Sequence, residues 1–321
     1  MTKALIVSLW LLTSLVSCPS PAQTLSQAST HLFPGMGQPN SLLKSRTFAP
    51  EKYDSGFDAN SAFIFRLHSA SWSAKKERRK SFPGFAAEAD SPYRIRFKNS
   101  GPIVGSGVGL MGAAALIRPA KTILSVDEIS HFGREQVNSF DRGATRLSSH
   151  SAGQLSDIIV LTSVSAPFLY LTKKRSRNDF GRIVLMQFET GLVTTGFIAL
   201  TKLIINRPRP FVYNPDVLLE DKLTPNANMS FFSGHTATVA AMSFFTATTY
   251  SQYYPESKWK AAVWTYAATL PALTGYLRYR AGAHYPTDII AGYVAGAAIG
   301  ILVPSIHQKI FRHKKKSLSP N

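Results

Sequence analysis

The chain has 321 residues, with 36 Lys and Arg against 18 Asp and Glu, and its formal net charge is +18. A basic excess of this size is typical of chains that bind nucleic acid, a membrane surface or an anionic substrate. The single cysteine, Cys18, excludes an intrachain disulfide framework and a cysteine-based zinc site. Aromatic residues do not alternate with Lys and Arg as in a nucleic-acid binder. Instead, the basic residues of 201–321 lie between apolar runs, as in membrane loops. We therefore expect a membrane partner and no nucleic acid.

The chain begins with the features of an export signal. A short basic start precedes an apolar stretch from Ala4 to Ser17, which is too short to span a bilayer comfortably. We therefore predict that residues 1–22 are a signal peptide or a lipoprotein signal. The segment Ser20–Ala22 offers an ordinary small-residue cleavage site. The segment Leu15–Cys18 resembles a bacterial lipoprotein box, in which Cys18 would be lipidated, and both alternatives stay open.

Residues 23–98 form a polar, basic N-terminal region rich in Ser, Ala, Pro and charge. Such a composition buries little apolar surface, so we expect the region to be poorly ordered. Its charged run Lys75–Lys80 is interpreted as a solvated or membrane-surface patch. At the other end of the chain, residues 309–321 form a basic tail. The helical domain is expected between these regions, over residues 99–308.

From residue 99 onward, apolar runs of helical length follow one another: Asn99–Ile117, Ile158–Thr172, Ile183–Ile205, Phe231–Tyr254, Trp259–Leu277 and Ile289–Ile306. We predict an all-α bundle of about six mostly membrane-embedded helices. Several runs are near the lower length limit for a span, so a soluble helical bundle is the alternative. Glycines at 292, 296 and 300 recur every four residues in the last run, a spacing that permits close helix packing.

Between the first two runs, Val126–Arg146 is amphipathic. Ser125, with Glu128 three residues later, predicts a capped helix start there.

Three short segments near the ends of these runs concentrate anion-binding groups. The first extends from Lys202 to Pro210. Lys202 and Arg209 are seven residues apart, close to two helical turns, so they can share one face. The prolines predict that the helix ends near Arg207, leaving Arg209 on an exit loop. A cation at the end of an apolar helix faces an anion or extends to the lipid headgroups, and for Arg207 we expect the latter.

The second segment, Ser233-Gly234-His235, opens an apolar run. The start of a helix presents unpaired N–H groups and the positive end of the helix dipole, and so favours an anion. Gly234 allows a ligand to approach the backbone closely. His235 is a candidate proton donor.

The third segment contains Arg278, His284 and Asp288. In a helix, His284 and Asp288 would lie one turn apart, so that the carboxylate holds one ring nitrogen and leaves the other free. That arrangement is the one that an imidazole nucleophile requires.

Together, Lys-x6-Arg-Pro, Ser-Gly-His and Arg-x5-His-x3-Asp resemble, in this order, the motifs of the type 2 phosphatidic acid phosphatase family over roughly residues 120–308. The resemblance implies nucleophilic attack by His284, orientation of that ring by Asp288, and general acid catalysis by His235. It also implies phosphate binding by Lys202, Arg209, Ser233, Gly234 and Arg278. Two positions depart from the family pattern: Phe232 replaces the usual Pro, and Leu277 replaces the usual Ser. Neither is a principal catalyst, so the departures concern loop shape and substrate choice.

The resemblance implies a hydrolase that cleaves a lipid phosphate, such as phosphatidic acid or a polyprenyl diphosphate, through a phosphohistidine intermediate. The cations replace a metal electrostatically, so we expect no cofactor and no metal. Alternatives on the same site are transfer of phosphate or a headgroup, a soluble periplasmic acid phosphatase and a vanadium haloperoxidase. A non-catalytic lipid-binding or transport protein is disfavoured, because binding alone needs no nucleophile with an orienting carboxylate.

The basic loops predict the orientation. Positive-inside counting puts residues 173–182, the loop of Lys258 and Lys260, and the C-terminal tail in the cytoplasm. The site of a multi-pass protein in a bacterial cell membrane would then face outside. A cleaved signal followed by six spans gives the opposite orientation. Either residues 99–117 do not span, or the N-terminus is not exported, or the chain lies on a membrane without crossing it six times. Of these we favour a non-spanning or re-entrant 99–117.

Overall fold

A computed structural model of the chain describes residues 91–118 and 123–317, with side chains up to residue 308. The predicted signal at 1–22 with Cys18, the run Lys75–Lys80 and most of the N-terminal region lie outside the described residues. So do the side chains of the basic tail.

The described ranges are helical and contain no strand. Their nine α-helices are α1 (Phe97–Ile117), α2 (Val126–Ser130), α3 (His150–Ser165), α4 (Lys174–Arg177), α5 (Phe180–Ile205), α6 (Leu219–Lys222), α7 (Gly234–Tyr253), α8 (Lys260–Arg280) and α9 (Pro286–Ser317). Six of them are long and form the bundle, which confirms the predicted fold class. Short 3-10 turns connect several of the helices.

Within the described residues, four segments are long and apolar enough to cross a membrane: 97–117, 150–172, 180–213 and 286–308. They contain α1, α3, α5 and α9. Large apolar side chains on these helices point outward, for example Leu116, Phe188 and Val294. An apolar surface of this extent is suited to lipid contact. The finding supports a multi-pass membrane protein.

Helix α7 lies at the centre of the bundle, where twelve of its 20 residues are buried. Helices α3, α5, α8 and α9 all pack against it. A Cβ atom on Gly296 or Gly300 of α9 would lie only 2.1–2.3 Å from a carbonyl oxygen of α7, and one on Gly292 would lie 2.6 Å from the carbonyl oxygen of Ser233, which caps α7. These contacts recur at each turn and confirm the packing role predicted from the four-residue spacing.

Helix α1 differs from the expectation for this segment. It is one unbroken helix of 21 residues that packs along α5. A Cβ atom on Gly196 would lie 2.8 Å from the carbonyl oxygen of Gly107, so the two backbones are in close contact. At 1.5 Å per residue the helix is about 31 Å long, close to the thickness of a bilayer core. The re-entrant alternative is therefore wrong, and α1 has the length of a span.

The segment before α3 is less helical than its amphipathic pattern predicts. The capping box is present, because the Glu128 N–H donates to Ser125 Oγ and the Ser125 N–H donates to Glu128 Oε2. Helix α2 nevertheless has only five residues. Gly133 then adopts an extended conformation and begins a 3-10 turn. Glycine is a weak helix former, which accounts for the early end.

One end of the bundle, here called the far end, contains the start of α5 and the end of α7. Asp179 precedes α5, is buried, and accepts hydrogen bonds from Ser91, Arg182 and Tyr253. Around this carboxylate lies a buried cluster that includes Tyr93, Tyr170, Ile183, Met186, Phe245 and Tyr253.

A second buried pair joins two of the long helices. His307 Nε2 of α9 lies 2.7 Å from Glu189 Oε2 of α5, and both side chains are fully buried.

Candidate active site

The three predicted segments meet at the opposite end of the bundle, here called the site end. The Ser233 N–H donates to the carbonyl oxygen of Asp288 at 3.0 Å, which joins the starts of α7 and α9. Lys202 Nζ, near the end of α5, lies 3.8 Å from the position that a Cβ atom would take on Gly234. Arg278 lies in the last turn of α8. Four helix ends thus bring the predicted residues together.

Arg209 is almost completely buried, and its guanidinium is held by neutral oxygens. Nε and Nη2 donate to the backbone oxygen and to Oδ1 of Asn226, at 2.9 and 2.7 Å, and Nη1 donates to the carbonyl oxygen of Ala283 at 3.4 Å. These contacts fix the guanidinium without neutralising its charge.

Arg278 donates from Nη1 to Ser156 Oγ at 3.2 Å, while its buried Nε has no hydrogen-bond partner in the described part of the chain. Among the residues that the structure describes, Lys202, Arg209 and Arg278 form no ion pair. Three cations therefore share a largely buried site without a bound carboxylate, and such a site favours an anionic ligand.

His284 lies on the short loop between α8 and α9 and is 1 % exposed. Burial lowers its pKa well below the ordinary value, and the charges of Arg209, Arg278 and Lys202 lower it further. The ring is therefore neutral at neutral pH, with a lone pair available.

The predicted partnership of His284 with Asp288 has a different geometry from the one expected. Helix α9 begins at Pro286, so His284 precedes the helix and the two side chains do not stack along it. Nδ1 of His284 lies 3.7 Å from Oδ2 of Asp288, and among the described residues Nδ1 has no hydrogen-bond partner. The carboxylate faces the ring across more than a hydrogen-bond length.

Asp288 itself is fully buried and held by three donors. Its Oδ2 accepts from Ser230 Oγ at 2.5 Å and from the Tyr285 N–H at 3.0 Å, and its Oδ1 accepts from Arg207 Nη1 at 2.6 Å. These contacts fix the carboxylate beside the His284 ring.

The prediction that Arg207 extends to the lipid headgroups is wrong. Helix α5 ends at Ile205, and Asn206 adopts a left-handed conformation that reverses the chain. The guanidinium is directed into the site, where Nη1 donates to Asp288 and Nη2 donates to Asp141 Oδ2 at 2.8 Å. It also lies 3.9 Å above the centre of the Tyr285 ring. Two buried carboxylates stabilise this position, which sequence reasoning missed.

Asp141 was also missed by the sequence analysis. It lies between α2 and α3, is fully buried, and accepts hydrogen bonds from Arg207 and from the backbone and side chain of Thr287. Burial acts to raise the pKa of Asp141, but hydrogen bonds from Arg207, Asn138 and Thr287 lower the pKa below its ordinary value. Asp141 therefore remains ionised and ties Arg207 to the start of α9.

His235 lies in the first turn of α7. Its Nε2 is 2.6 Å from Oδ1 of Asp157, a residue of α3 that sequence reasoning also missed. The signal that was available is that Asp157 is the only acid in the 16 residues of α3.

Ser233 caps α7, because its Oγ accepts the Thr236 N–H at 3.4 Å. The helix start that it caps carries the N–H groups suited to a phosphate.

A family model matches the part of the chain that contains the predicted site residues. Residues 183–312 match the model described as PAP2 superfamily, and the match contains all eight predicted site residues. The match is consistent with the predicted resemblance to type 2 phosphatidic acid phosphatases, and it supports a phosphatase-type activity in general. Comparison with curated proteins and with solved structures gives no match. Asp141 and Asp157 lie outside the matched residues.

Proposed function

We propose that the protein is a membrane phosphatase that hydrolyses a lipid phosphate through a phosphohistidine intermediate. The observation that supports this most strongly is the group of three cations without ion pairs around a neutral, buried His284. A phosphomonoester dianion would neutralise most of that charge. The match to the PAP2 superfamily model supports phosphatase chemistry in general.

Phosphate binding is the first step of the proposed reaction. Lys202, Arg209 and Arg278 contact the phosphate oxygens, and the N–H groups at the start of α7 complete the cradle. These donors are already in place, so they stabilise the charge that develops on the phosphate oxygens in the transition state. Removing one such donor is expected to cost about 10²–10³ in rate.

In the second step, Nε2 of His284 attacks phosphorus. A P–N bond forms, the bond between phosphorus and the leaving oxygen breaks, and His235 donates a proton to that oxygen. Asp288 faces Nδ1 and stabilises the positive charge of the phosphorylated ring. His235, now neutral, then takes a proton from water as the water attacks phosphorus, and cleavage of the P–N bond releases inorganic phosphate.

A lipid substrate is favoured by the position of the site. Lys202 lies in the last turn of α5 and Asp288 in the first turn of α9, and both helices belong to candidate spans. If these helices cross the bilayer, the phosphate is bound at headgroup depth and the acyl or prenyl tail lies against the apolar helices.

A monophosphate is favoured over a diphosphate by the loop 211–228. Its cation, Lys222, donates to the carbonyl oxygen of Asn214 at 2.6 Å, and the other charged residues of the loop are acidic: Asp216, Glu220 and Asp221. The loop therefore offers little to a second phosphate.

The charge of the two ends favours a cytoplasmic far end and an external site. The loops at the far end carry six basic residues, as cytoplasmic loops do: Lys173, Lys174, Arg175, Arg177, Lys258 and Lys260. Tyr93 packs on Tyr253 there, with ring centres 5.5 Å apart, so the chain enters α1 from the far end. This orientation places the segment before α1 in the cytoplasm and disfavours a cleaved export signal.

Accessibility of single cysteines tests the orientation. We would place them in loops 173–182 and 211–228 of a Cys18→Ser background and label intact cells. Labelling of 211–228 without 173–182 is expected, and the reverse pattern would overturn the orientation.

The substrate class is tested by assaying detergent-purified enzyme on phosphatidic acid and on a short-chain soluble phosphomonoester at matched concentration. We expect at least about tenfold preference for the lipid, or roughly 1.4 kcal/mol of transition-state binding. Equal turnover of the soluble ester would favour the acid phosphatase alternative.

Adding an alcohol acceptor and measuring its phosphorylation separates hydrolysis from transfer. A radiolabelled phosphoenzyme that is absent from His284→Ala separates both from a non-catalytic binding protein.

A further inference from the structure

We propose that Asp157 is a positioning residue that holds the His235 ring and favours its protonated form for transfer to the leaving oxygen. The inference rests on the proposed function, in which His235 is the general acid. Asp157 comes from α3, which is outside the segment that matches the family model.

The geometry of the pair is specific. Oδ1 of Asp157 lies 2.6 Å from Nε2 of His235, although the two residues are 78 positions apart in the chain. A carboxylate on Nε2 leaves Nδ1 as the ring nitrogen that can meet the leaving oxygen. The side chains of His235 and Asp157 are 29 % and 64 % exposed, so the pair lies at the mouth of the site.

The charges around His235 indicate what the contact with Asp157 does. The ring faces Arg278 of α8, Lys202 of α5 and His284 of the α8–α9 loop, with Asp157 of α3 as the carboxylate in contact. Burial and the charge of Arg278 lower the pKa of His235 to about 4, and the hydrogen bond and charge of Asp157 offset only part of this lowering. The cations that bind phosphate therefore work against a protonated acid, and Asp157 opposes them.

A purely structural role explains the pair less well. Helix α3 already packs on α7 and α8 through a buried apolar cluster that includes Ile159, Val160, Val239 and Leu277. Because Asp157 is mostly exposed, replacing its carboxylate by an amide leaves no cavity. The Asp157→Asn variant is therefore expected to fold.

The experiment compares two leaving groups in wild type, Asp157→Asn and Asp157→Glu. An alkyl phosphate releases a strongly basic alkoxide that needs a proton, whereas nitrophenyl phosphate releases a phenolate that hardly does. We expect Asp157→Asn to lose about 10–100-fold in kcat on the alkyl ester and less than about threefold on the nitrophenyl ester. Asp157→Glu should restore most of the loss.

The pH profile provides a second measurement. Removal of the carboxylate lowers the pKa of the acid, so the fall of kcat at high pH moves to lower pH for the alkyl ester in Asp157→Asn. The matched control is Asp127→Asn, because Asp127 is an exposed acid of α2 that lies 4.0 Å from His131, away from the site residues. Its profile should equal that of wild type.

Two results would overturn the proposal: an equal loss on both esters, or no loss on either. The proposed function fails in a different way, which is an inactive wild type or an active His284→Ala. In those cases the loss of function cannot be attributed to Asp157.

Discussion

Both ends of the bundle bury charged groups, but the partners of these groups differ between the two ends. At the far end, Asp179 accepts hydrogen bonds from Ser91, Tyr253 and Arg182, so its charge is fully compensated. At the site end, the partners of Arg209 and Arg278 among the described residues are neutral oxygens. A compensated buried charge makes the fold depend on its partners, because removing one of them is costly, whereas an uncompensated charge favours a ligand that brings the missing charge.

The contrast also separates residues within the site end. Arg207 forms ion pairs with Asp141 and Asp288, at 2.8 and 2.6 Å. Its charge is therefore compensated, as that of Asp179 is at the far end. We therefore assign Arg207 to holding the site together, and the cations without ion pairs to holding phosphate.

The largest expected effect is the loss of the proposed nucleophile. His284→Ala should lower turnover by about 10⁴-fold or more, because no neighbouring group replaces the imidazole. Asp288→Asn should be impaired less, since the amide can face the ring without stabilising its charge. Turnover of the purified variants, with circular dichroism to confirm folding, measures both. Wild-type activity in His284→Ala would exclude the assignment.

The next effect tests the cations of the site end. Arg278→Gln should lower kcat by about 10²–10³-fold, because one donor to the transition state is lost. The melting temperature should stay the same or rise, since the variant removes a buried charge that has no ion pair. A lower melting temperature with normal kcat would mean that Arg278 belongs to the structure and not to the site.

The far end should respond in the opposite way. Asp179→Asn weakens hydrogen bonds to a buried carboxylate and should cost about 2 kcal/mol of stability. The specific activity of the folded fraction should change by less than about twofold, a margin that corresponds to under 0.5 kcal/mol. Thermal unfolding in detergent gives the first quantity, and Glu256→Gln, an exposed acid near the far end, is the control. A large fall in kcat without loss of stability would erase the distinction between the two ends.

The smallest expected effect is that of chelation. Three cations already neutralise the phosphate, so an excess of EDTA should leave the rate unchanged. Vanadate should inhibit, because it takes the five-coordinate geometry of phosphorus in the transition state. Recovery by magnesium after loss of activity in EDTA would reveal a metal requirement.

Local patterns were sufficient to predict much of this molecule. Apolar runs gave the six long helices, the Ser125 capping box gave the start of α2, and glycine spacing gave the contact of α9 with α7. The three motifs predicted residues that the fold does bring together. Each of these signals lies within about one helix, where spacing alone determines which side chains are neighbours.

Contacts between distant segments were not predictable in this way. Arg207 meets Asp141 and Asp288 from 66 and 81 positions away, and no periodicity records such a pairing. From the sequence alone, the Arg207 side chain was therefore predicted to extend to the lipid headgroups. His284 and Asp288 have helical spacing, but the helix begins between them at Pro286. That boundary is set by tertiary packing as well as by local preference.

The buried pair of Glu189 and His307 has a consequence for how the protein is made. The two residues are 118 positions apart, on α5 and on the last helix. An ionisable side chain within a membrane span is costly without a partner, at about 2.5–3.5 kcal/mol for charged residues at the helix centre. During synthesis, α5 is complete long before His307 leaves the ribosome. Every predicted site residue has also been translated by then, and one of them, Asp288, lies on the last helix itself. We therefore expect the docking of that helix both to complete the site and to supply the buried partner of Glu189.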